Sequence, residues 1–352
     1  MKLTLIILLC LYFSLQRTGP ILPAQDTTPI KLSASWSPDG EYVSYLAPDG
    51  IHVMDKHGAH SRLFSPPAGF GGWTADSSGI FIIQNNNPME AALEWWIYPI
   101  NGAEPFQFLP QLRSIDTLAF SGNGEQVALS AQANQADPHT IWVANADGSD
   151  LKPLAAYQAH KLNWSGDDTK IIFETRSDGE NQERVSISID VNGGNDPQIQ
   201  PVVDGTRIIG DGLEFHYLTD ASYPPATFYI TDILQHHEPV YTVNQWVSAI
   251  SYSDLSQSIV YTAYCNPADV DSAFLQGEWS AMAQESVETA LYHIDIKTGE
   301  QTVLVPCGEG SQLSPSLSPD GQEILFIWIN NHQWDVYRLI IDGAQLINLT
   351  QA

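Results

Sequence analysis

The sequence is poor in cationic side chains. Its 352 residues include 41 Asp and Glu but only 14 Lys and Arg, and the formal net charge at pH 7 is −27. Proteins bind phosphate groups mainly through Lys and Arg, so this composition argues against nucleic acid and anionic lipid as partners. Two interpretations of the charge stay open: solubility, or attraction of a cationic partner.

Long hydrophobic runs and helical periodicity are scarce as well. The apolar run at residues 3–15 is shorter than the about 20 residues needed to span a bilayer. Lys2 precedes this run and Pro23-Ala24 follows it, so residues 1–24 are predicted to be a signal peptide, with an uncleaved anchor as the alternative. We therefore expect an exported protein, periplasmic, at the cell surface or extracellular. No further transmembrane segment is expected, and residues 25–32 form a short N-terminal segment.

What the sequence does contain is a repeated turn followed by an apolar strand. Trp36-Ser37-Pro38-Asp39-Gly40 precedes the run at 42–46, and Leu317-Ser318-Pro319-Asp320-Gly321 precedes the run at 324–327. Pro presets φ, Asp accepts hydrogen bonds from its own backbone, and Gly adopts the positive φ that closes the turn. Weaker copies have their anchors at Trp73, Phe120, Trp164, about residue 208 and Tyr252.

The spacing of these anchors predicts the architecture. Residues 33–350 divide into seven units of about 45 residues, the period of a four-stranded propeller blade. Each unit also has a second turn, such as Asp147-Gly148 or Asn192-Gly193, of the kind that closes a hairpin. The sequence thus predicts an all-β fold, a seven-bladed β-propeller of four-stranded antiparallel blades, in one domain over residues 33–352.

The repeat resembles that of TolB-type propellers and of the propeller domains of prolyl-oligopeptidase-like proteins. The resemblance rests on Trp36 to Gly40, Leu317 to Gly321 and Asn145-Ala146-Asp147-Gly148-Ser149, and it extends over nearly all of residues 33–350. It implies the fold rather than an activity. TolB has an α/β domain ahead of its propeller and the peptidases have a hydrolase domain, and the sequence shows residues for neither.

No conventional catalytic motif is present. The sequence has no G-x-S-x-G nucleophile elbow, no Walker A loop and no H-E-x-x-H. The turn histidines His52, His57, His60, His236 and His237 match no zinc spacing and are interpreted as solvated. We therefore expect no cofactor, no metal and a binding or scaffold protein. The alternative is a propeller enzyme, lactonase-like or a glycan-active lyase or hydrolase, with a site at the channel mouth.

Loop lengths favour one end of the predicted blades as the binding face. If the strands of a blade are named a to d, tight turns join a to b and c to d at one end. Longer connections collect at the other end, at residues 84–92, 174–183 and 264–288. Binding residues tend to lie on loops held by a rigid scaffold, so this loop-rich face is predicted to bind an unidentified protein or small ligand. Its candidate residues are Phe70, Trp95, Arg113, Tyr157, His160, Trp246, Asp269, Asp271, Phe274, Glu278 and Trp279, with core packing as the alternative for Trp95 and Trp246.

The 264–288 insertion is about 20 residues longer than a propeller hairpin needs. The insertion contains two aromatic residues, Phe274 and Trp279, among several acidic residues. We interpret it either as a contact element for a partner or as a flap folded back on the propeller rim. Asp269, Asp271 and Glu278 lack the framework of a calcium loop and are interpreted as solvated.

Cysteine is also scarce in this sequence. Of the three in the chain, Cys265 and Cys307 remain once the signal peptide is removed. Both are predicted at the loop-rich end of the sixth blade, and export permits disulfides, so we expect the two to be joined. The protein is expected to be a monomer.

Overall fold

The structure is a computed structural model that describes residues 33–64, 69–84, 92–159, 161–165, 167–176, 184–193, 196–201, 206–210, 213–218, 227–232, 243, 245–253, 256–266, 287–331 and 333–350. Every regular element in these ranges is a β-strand. Within the same ranges, no helix has the length and apolar character needed to cross a membrane.

The strands follow one another through the whole described chain. They are β1 (Ser33–Trp36), β2 (Tyr42–Ala47), β3 (Gly50–Asp55), β4 (Arg62–Phe64), β5 (Gly69–Trp73), β6 (Gly79–Gln84), β7 (Glu94–Pro99), β8 (Phe106–Gln107), β9 (Ser114–Phe120), β10 (Gln126–Gln132), β11 (Thr140–Asn145), β12 (Lys152–Ala155), β13 (Lys161–Trp164), β14 (Lys170–Arg176), β15 (Arg184–Asp190), β16 (Gln198–Pro201), β17 (Thr206–Gly210), β18 (Leu213–Leu218), β19 (Thr227–Asp232), β20 (Val247–Ser253), β21 (Ser258–Tyr264), β22 (Thr289–Asp295), β23 (Glu300–Val305), β24 (Ser311–Leu317), β25 (Glu323–Asn330), β26 (Gln333–Ile340) and β27 (Gln345–Asn348).

The strands pair as antiparallel meanders, as the repeated turns predict. Six sheets have four strands each and one, β17–β19, has three among the described residues. In chain order, sheet 1 is β1–β4, sheet 2 β5–β8, sheet 3 β9–β12, sheet 4 β13–β16, sheet 5 β17–β19, sheet 6 β20–β23 and sheet 7 β24–β27. The predicted all-β fold is confirmed, whereas the described residues complete six of the seven four-stranded units predicted.

Alternate side chains of one strand face different neighbouring sheets. In β10, Val127 and Leu129 pack in a cluster with Phe81 of sheet 2, whereas Ala128 packs in a cluster with Phe173 of sheet 4. Successive residues of a strand point to opposite faces, and here both faces are covered. The apolar runs in the sequence are therefore continuous instead of alternating.

The first strands of the sheets lie side by side at the centre of the molecule. β9 contacts β13, β13 contacts β17, β20 contacts β24, and β24 contacts β1. The last strands form the outer edge, where large apolar side chains are exposed at Leu63, Phe106, Ile199, Val303 and Leu346. Strand a of each predicted unit is thus the inner strand.

The first and last sheets pack against each other. One apolar cluster contains Trp36 and Val43 of sheet 1 together with Leu325 of sheet 7. The Trp36 indole N–H also donates to the Ser316 carbonyl oxygen at 3.2 Å. The same kind of hydrogen bond joins another pair of neighbouring sheets: the Trp164 indole N–H of sheet 4 donates to the Ala119 carbonyl oxygen of sheet 3 at 2.9 Å.

Several inner strands contain irregularities that the sequence did not predict. The pairing register shifts between Phe70 and Gly72 in β5 and between Val247 and Ala249 in β20. In β9 the partners pass from Thr117 to Ile115, which leaves Asp116 out of the register. Such bulges bend a strand and change the direction of a side chain.

Candidate functional site

One repeated set of hydrogen bonds builds the tight-turn end of the sheets. In sheet 1 the Ser37 hydroxyl donates to the Asp39 carboxylate at 2.5 Å and accepts the Tyr42 backbone N–H at 2.9 Å. Because these bonds form within a few residues of chain, each unit can specify its own turn. Equivalent pairs are Thr74–Asp76, Ser121–Asn123, Ser165–Asp167 and Ser318–Asp320.

These donors also hold the turn carboxylates in their ionised form. Hydrogen bonds from Ser165 and Thr169 lower the pKa of Asp167 from 3.8 to about 2. The hydroxyls of Thr74 and Ser78 lower the pKa of Asp76 against the opposing effect of burial. The tight-turn end therefore carries fixed negative charge at neutral pH.

A central cavity of about 670 Å³ opens between the inner strands β1, β5, β20 and β24 and reaches the turns of sheets 1 and 7. Its aromatic walls come from Trp36, Phe70, Trp73 and Tyr252. Its polar walls come from serines, among them Ser35, Ser253 and Ser316. The described residues that line it include no acid, no base and no histidine.

Hydrogen bonds fix the two tryptophans in the cavity wall. The Trp73 indole N–H donates to Ser44 Oγ at 3.1 Å, and Ser44 Oγ lies 2.8 Å from Ser35 Oγ. The Trp36 indole N–H is bonded to the Ser316 carbonyl oxygen. Both donors are thus used within the wall, and the rings are left to contribute apolar surface.

The structure changes the placement of Phe70. The sequence placed this residue on a connection at the loop-rich face, but it lies in β5 and lines the central cavity. The run Gly69-Phe70-Gly71-Gly72 was the available signal, because glycines inside a strand mark a bulge or a close approach. A Cβ on Gly71 would come within 2.8 Å of the Trp95 ring, whereas a Cβ on Gly72 would meet nothing within 4 Å.

Trp95 is a core residue, which agrees with core packing, the alternative that the sequence left open for it. Its side chain is 5% exposed, and its indole N–H donates to the Ile115 carbonyl oxygen at 2.9 Å. Trp246 is partly buried, and its indole nitrogen is shielded from solvent without a hydrogen-bond partner among the described residues.

Two other candidates of the loop-rich face are partly exposed. Tyr157 precedes β13 and packs on Phe173, with the ring centroids 5.4 Å apart. Arg113 precedes β9, and its backbone N–H donates to the Gln132 carbonyl oxygen at 2.9 Å. The remaining candidates lie outside the described residues; they are His160, Asp269, Asp271, Phe274, Glu278 and Trp279.

A histidine–carboxylate contact lies at the loop-rich end of sheet 3. His139 Nδ1 is 2.6 Å from Asp116 Oδ2, and each side chain is 24% exposed. The two contacting atoms are themselves buried, so the exposed part of the imidazole lies away from Asp116. The loop that carries His139 is ordered by Gln132 Nε2, which donates to Asp137 O at 3.0 Å. A carboxylate against one ring nitrogen orients the ring and its other nitrogen.

Sequence reasoning missed both residues of this contact. The sequence separates them by more than twenty residues, and the bulge that redirects Asp116 depends on the pairing of β9 with β10. A His next to Pro138 in a loop between two strands was the one local signal.

The base of the long insertion is fixed by a disulfide. Cys265 and Cys307 are bonded, with their Cα atoms 5.8 Å apart. Beside them, the Cys265 backbone N–H donates to the Glu288 carbonyl oxygen at 2.9 Å, and the Tyr264 N–H donates to Trp246 O at 2.8 Å. The two ends of the insertion therefore leave and enter the propeller side by side.

The histidines of the first sheet have specific partners. His52 stacks on Tyr45 with a centroid distance of 4.6 Å, and its Nε2 is 3.0 Å from the Asp49 carboxylate. Its side chain is 17% exposed, so His52 is packed rather than solvated. His60 is 89% exposed and lies 2.8 Å from the Asp55 carboxylate. In the part of the chain that the structure describes, no three His, Cys, Asp or Glu side chains come together to hold a metal ion.

No protein-family model matches the sequence, and no curated protein matches it. Solved structures do match. The β-propeller domain of the Trilobed protease from Pyrococcus furiosus has a TM-score of 0.62 at 12% identity, over 92% of this chain and 96% of that chain. The chain is a β-propeller. Oligogalacturonate lyase from Vibrio parahaemolyticus has a TM-score of 0.60 at 11% identity, over 89% of this chain and 91% of that chain.

Other matches cover only part of a larger protein. The propeller spans 36% of the tricorn protease, with a TM-score of 0.55 at 12% identity over 95% of this chain. It spans 62% of TolB from Acinetobacter baumannii, with a TM-score of 0.42 at 13% identity. The predicted resemblance to the propeller domains of peptidases is shown, and at these identities it is a resemblance of fold.

Proposed function

We propose that the protein is an exported seven-bladed propeller that acts as a non-catalytic binding scaffold through its loop-rich face. The seven-bladed ring is supported by sheet 5, which follows sheet 4 in the chain and whose inner strand β17 contacts β13, as β13 contacts β9 and β20 contacts β24. Export is supported by the signal-like residues 1–24 and by the disulfide, because disulfides persist in oxidising compartments.

The observation that carries the binding role is the rigid stem of the 264–288 insertion. The disulfide and the Cys265–Glu288 backbone bond close the stem. On the C-terminal side of the insertion, Val287 is fully buried in the cluster shared by sheets 1 and 7. Thr289 Oγ1 then donates to the Gln312 carbonyl oxygen at 2.8 Å. A stem anchored at both ends limits the entropy that the insertion loses when it binds a partner.

Within this proposal, Phe274 and Trp279 are the apolar anchors of the contact, and the acids around them form its polar rim. Aromatic anchors at the centre with charges at the edge are the usual composition of a protein interface. The net charge of −27 favours a partner with a basic surface, since complementary charge speeds the encounter.

The test replaces both Phe274 and Trp279 by Ala and compares this variant with Phe106→Ala. Phe106 is 52% exposed on the outer strand β8, which makes it a matched aromatic truncation away from the insertion. A partner captured from the extracytoplasmic fraction with the wild type is then titrated against all three proteins. We expect at least tenfold weaker binding for the double variant only. A lower melting temperature with unchanged binding would make the insertion a structural flap and refute the proposal.

A propeller enzyme is the second candidate, and the Asp116–His139 contact is the observation that favours it. An imidazole oriented by a carboxylate has the arrangement of a general base. The matched oligogalacturonate lyase shows that this propeller fold is compatible with glycan chemistry. Release of unsaturated product from oligogalacturonate by the wild type, and its loss in His139→Gln, would favour the enzyme. No product at any pH from 5 to 9 would remove this candidate.

A further inference from the structure

We infer that the central cavity is a binding site for a neutral saccharide, separate from the loop-rich face. The cavity of about 670 Å³ falls within the range of small-molecule sites, roughly 300–1,000 Å³. It lies between four inner strands of a rigid ring, so its shape is largely set before a ligand enters.

The lining matches the two kinds of surface that a sugar presents. A pyranose ring has an apolar C–H face and a rim of hydroxyl groups that both donate and accept hydrogen bonds. The aromatic residues Phe70 and Tyr252 are partly buried and belong to the cavity lining, which suits the apolar face. The lining also contains Ser35 and Ser316, and a serine hydroxyl can both donate and accept hydrogen bonds.

The wall tryptophans strengthen this assignment. Trp36 and Trp73 are 7% and 8% exposed, and their indole N–H groups are bonded within the wall. They therefore add apolar surface without leaving a donor that the ligand must satisfy. A purely apolar ligand would instead offer no hydrogen-bond partner to the serines of the lining.

Charge narrows the ligand to a neutral one. The lining contains no Asp, Glu, Lys, Arg or His among the described residues, so a cationic ligand would find no counter-charge inside. An anionic ligand would have to approach past the turn carboxylates, among them Asp39 and Asp320, in a protein with net charge −27. A neutral saccharide meets neither obstacle.

The experiment measures binding of maltotriose, cellotriose and chitotriose to the full chain by calorimetry, with tryptophan fluorescence as a second readout because Trp36 and Trp73 line the cavity. We expect saturable binding of at least one of them. Phe70→Ala removes an aromatic wall and Ser316→Leu fills the cavity, and each is expected to weaken that binding at least tenfold. Phe106→Ala, on the outer strand β8, is the matched control and should bind as the wild type does.

Circular dichroism and a melting curve show whether Phe70→Ala and Ser316→Leu fold. If one of the two does not fold, the other still tests the inference. Trigalacturonate serves as the anionic comparison and is expected to bind at least tenfold more weakly than the neutral ligand. The inference is overturned if none of the three neutral saccharides binds saturably, if binding survives in the folded cavity variants, or if trigalacturonate binds equally well. The double replacement of Phe274 and Trp279 is expected to leave saccharide binding unchanged, which separates this site from the proposed protein contact.

Discussion

Replacing Glu323 by Gln tests whether a buried charge pair holds the two ends of the ring together. Arg338 of sheet 7 is 6% exposed. Its Nε and Nη2 atoms donate to the two oxygens of Glu323 at 2.5 and 2.6 Å, and its Nη1 donates to the Lys56 carbonyl oxygen of sheet 1 at 3.2 Å. Loss of the carboxylate charge leaves a buried guanidinium without its counter-ion at the junction of the first and last sheets.

The expected cost follows from this burial. Removing one partner of a buried ion pair costs about 3–5 kcal/mol, and because the Glu323 side chain is 20% exposed we expect the lower end, about 3 kcal/mol. With an unfolding entropy of about 2.1 cal/mol/K per residue, a domain over residues 33–350 shifts by about 1.5 °C per kcal/mol, so the melting temperature should fall by roughly 4–5 °C. Urea unfolding gives the free energy of unfolding directly.

Glu41→Gln is the matched control, because it makes the same substitution in an exposed pair near the same junction. Glu41 lies 2.7 Å from Lys56 Nζ, with side chains 60% and 30% exposed, and such surface pairs contribute about 0–1 kcal/mol. If the two variants lose the same stability to within about 0.5 kcal/mol, the Arg338–Glu323 pair does not act as a buried ion pair, and the reasoning fails.

Three further predictions concern stability. Reducing the Cys265–Cys307 bond, which closes a separation of 42 residues, should lower the free energy of unfolding by up to about 4 kcal/mol; an unchanged urea midpoint after reduction would contradict this. The folded-state pKa of Asp167 lies below its unfolded value, so its contribution is present above pH 3.8 and is lost as the pH falls through about 2. The stability gap between wild type and Asp167→Asn should therefore narrow over that window, and an NMR titration giving an ordinary pKa would refute the turn geometry. Ser44→Ala removes the acceptor of the buried Trp73 indole and should cost about 1–3 kcal/mol, whereas Ser35→Ala leaves that bond intact and should cost less in the same unfolding assay.

The sequence predicted those features of the fold that depend on neighbouring residues. The turn at Ser37 and Asp39 is closed by hydrogen bonds between residues no more than five positions apart, so the residue types alone predict it. The strands between the turns follow from the same pattern, because the apolar runs predicted at 42–46 and 324–327 lie in β2 and β25. The cysteine pair could also be placed, because topology alone brings Cys265 and Cys307 to one end of one sheet.

The features that escaped prediction depend on residues far apart in the chain. The central cavity combines residues of sheets 1, 2, 6 and 7, and no local pattern shows that their inner strands meet around open space. The bulge at Asp116 depends on the register between β9 and β10. The bond from Arg338 to the Lys56 carbonyl oxygen joins residues 282 positions apart in the chain.

The direction of the tryptophan hydrogen bonds has a consequence for how the chain is made. Each anchor indole, at Trp36, Trp73 and Trp164, donates to the sheet that precedes it around the ring. For Trp73 and Trp164 the acceptor has already been synthesised when the tryptophan emerges, but for Trp36 the acceptor is Ser316, 280 residues later. Sheet 1 is thus the first to be synthesised, but its contact with sheet 7 is the last to form, and contacts of such long sequence separation form slowly. Until sheet 7 is synthesised, the face of sheet 1 that carries Trp36 and Val43 has no sheet 7 to pack against. A chain that ends before β24 would therefore leave this apolar face uncovered.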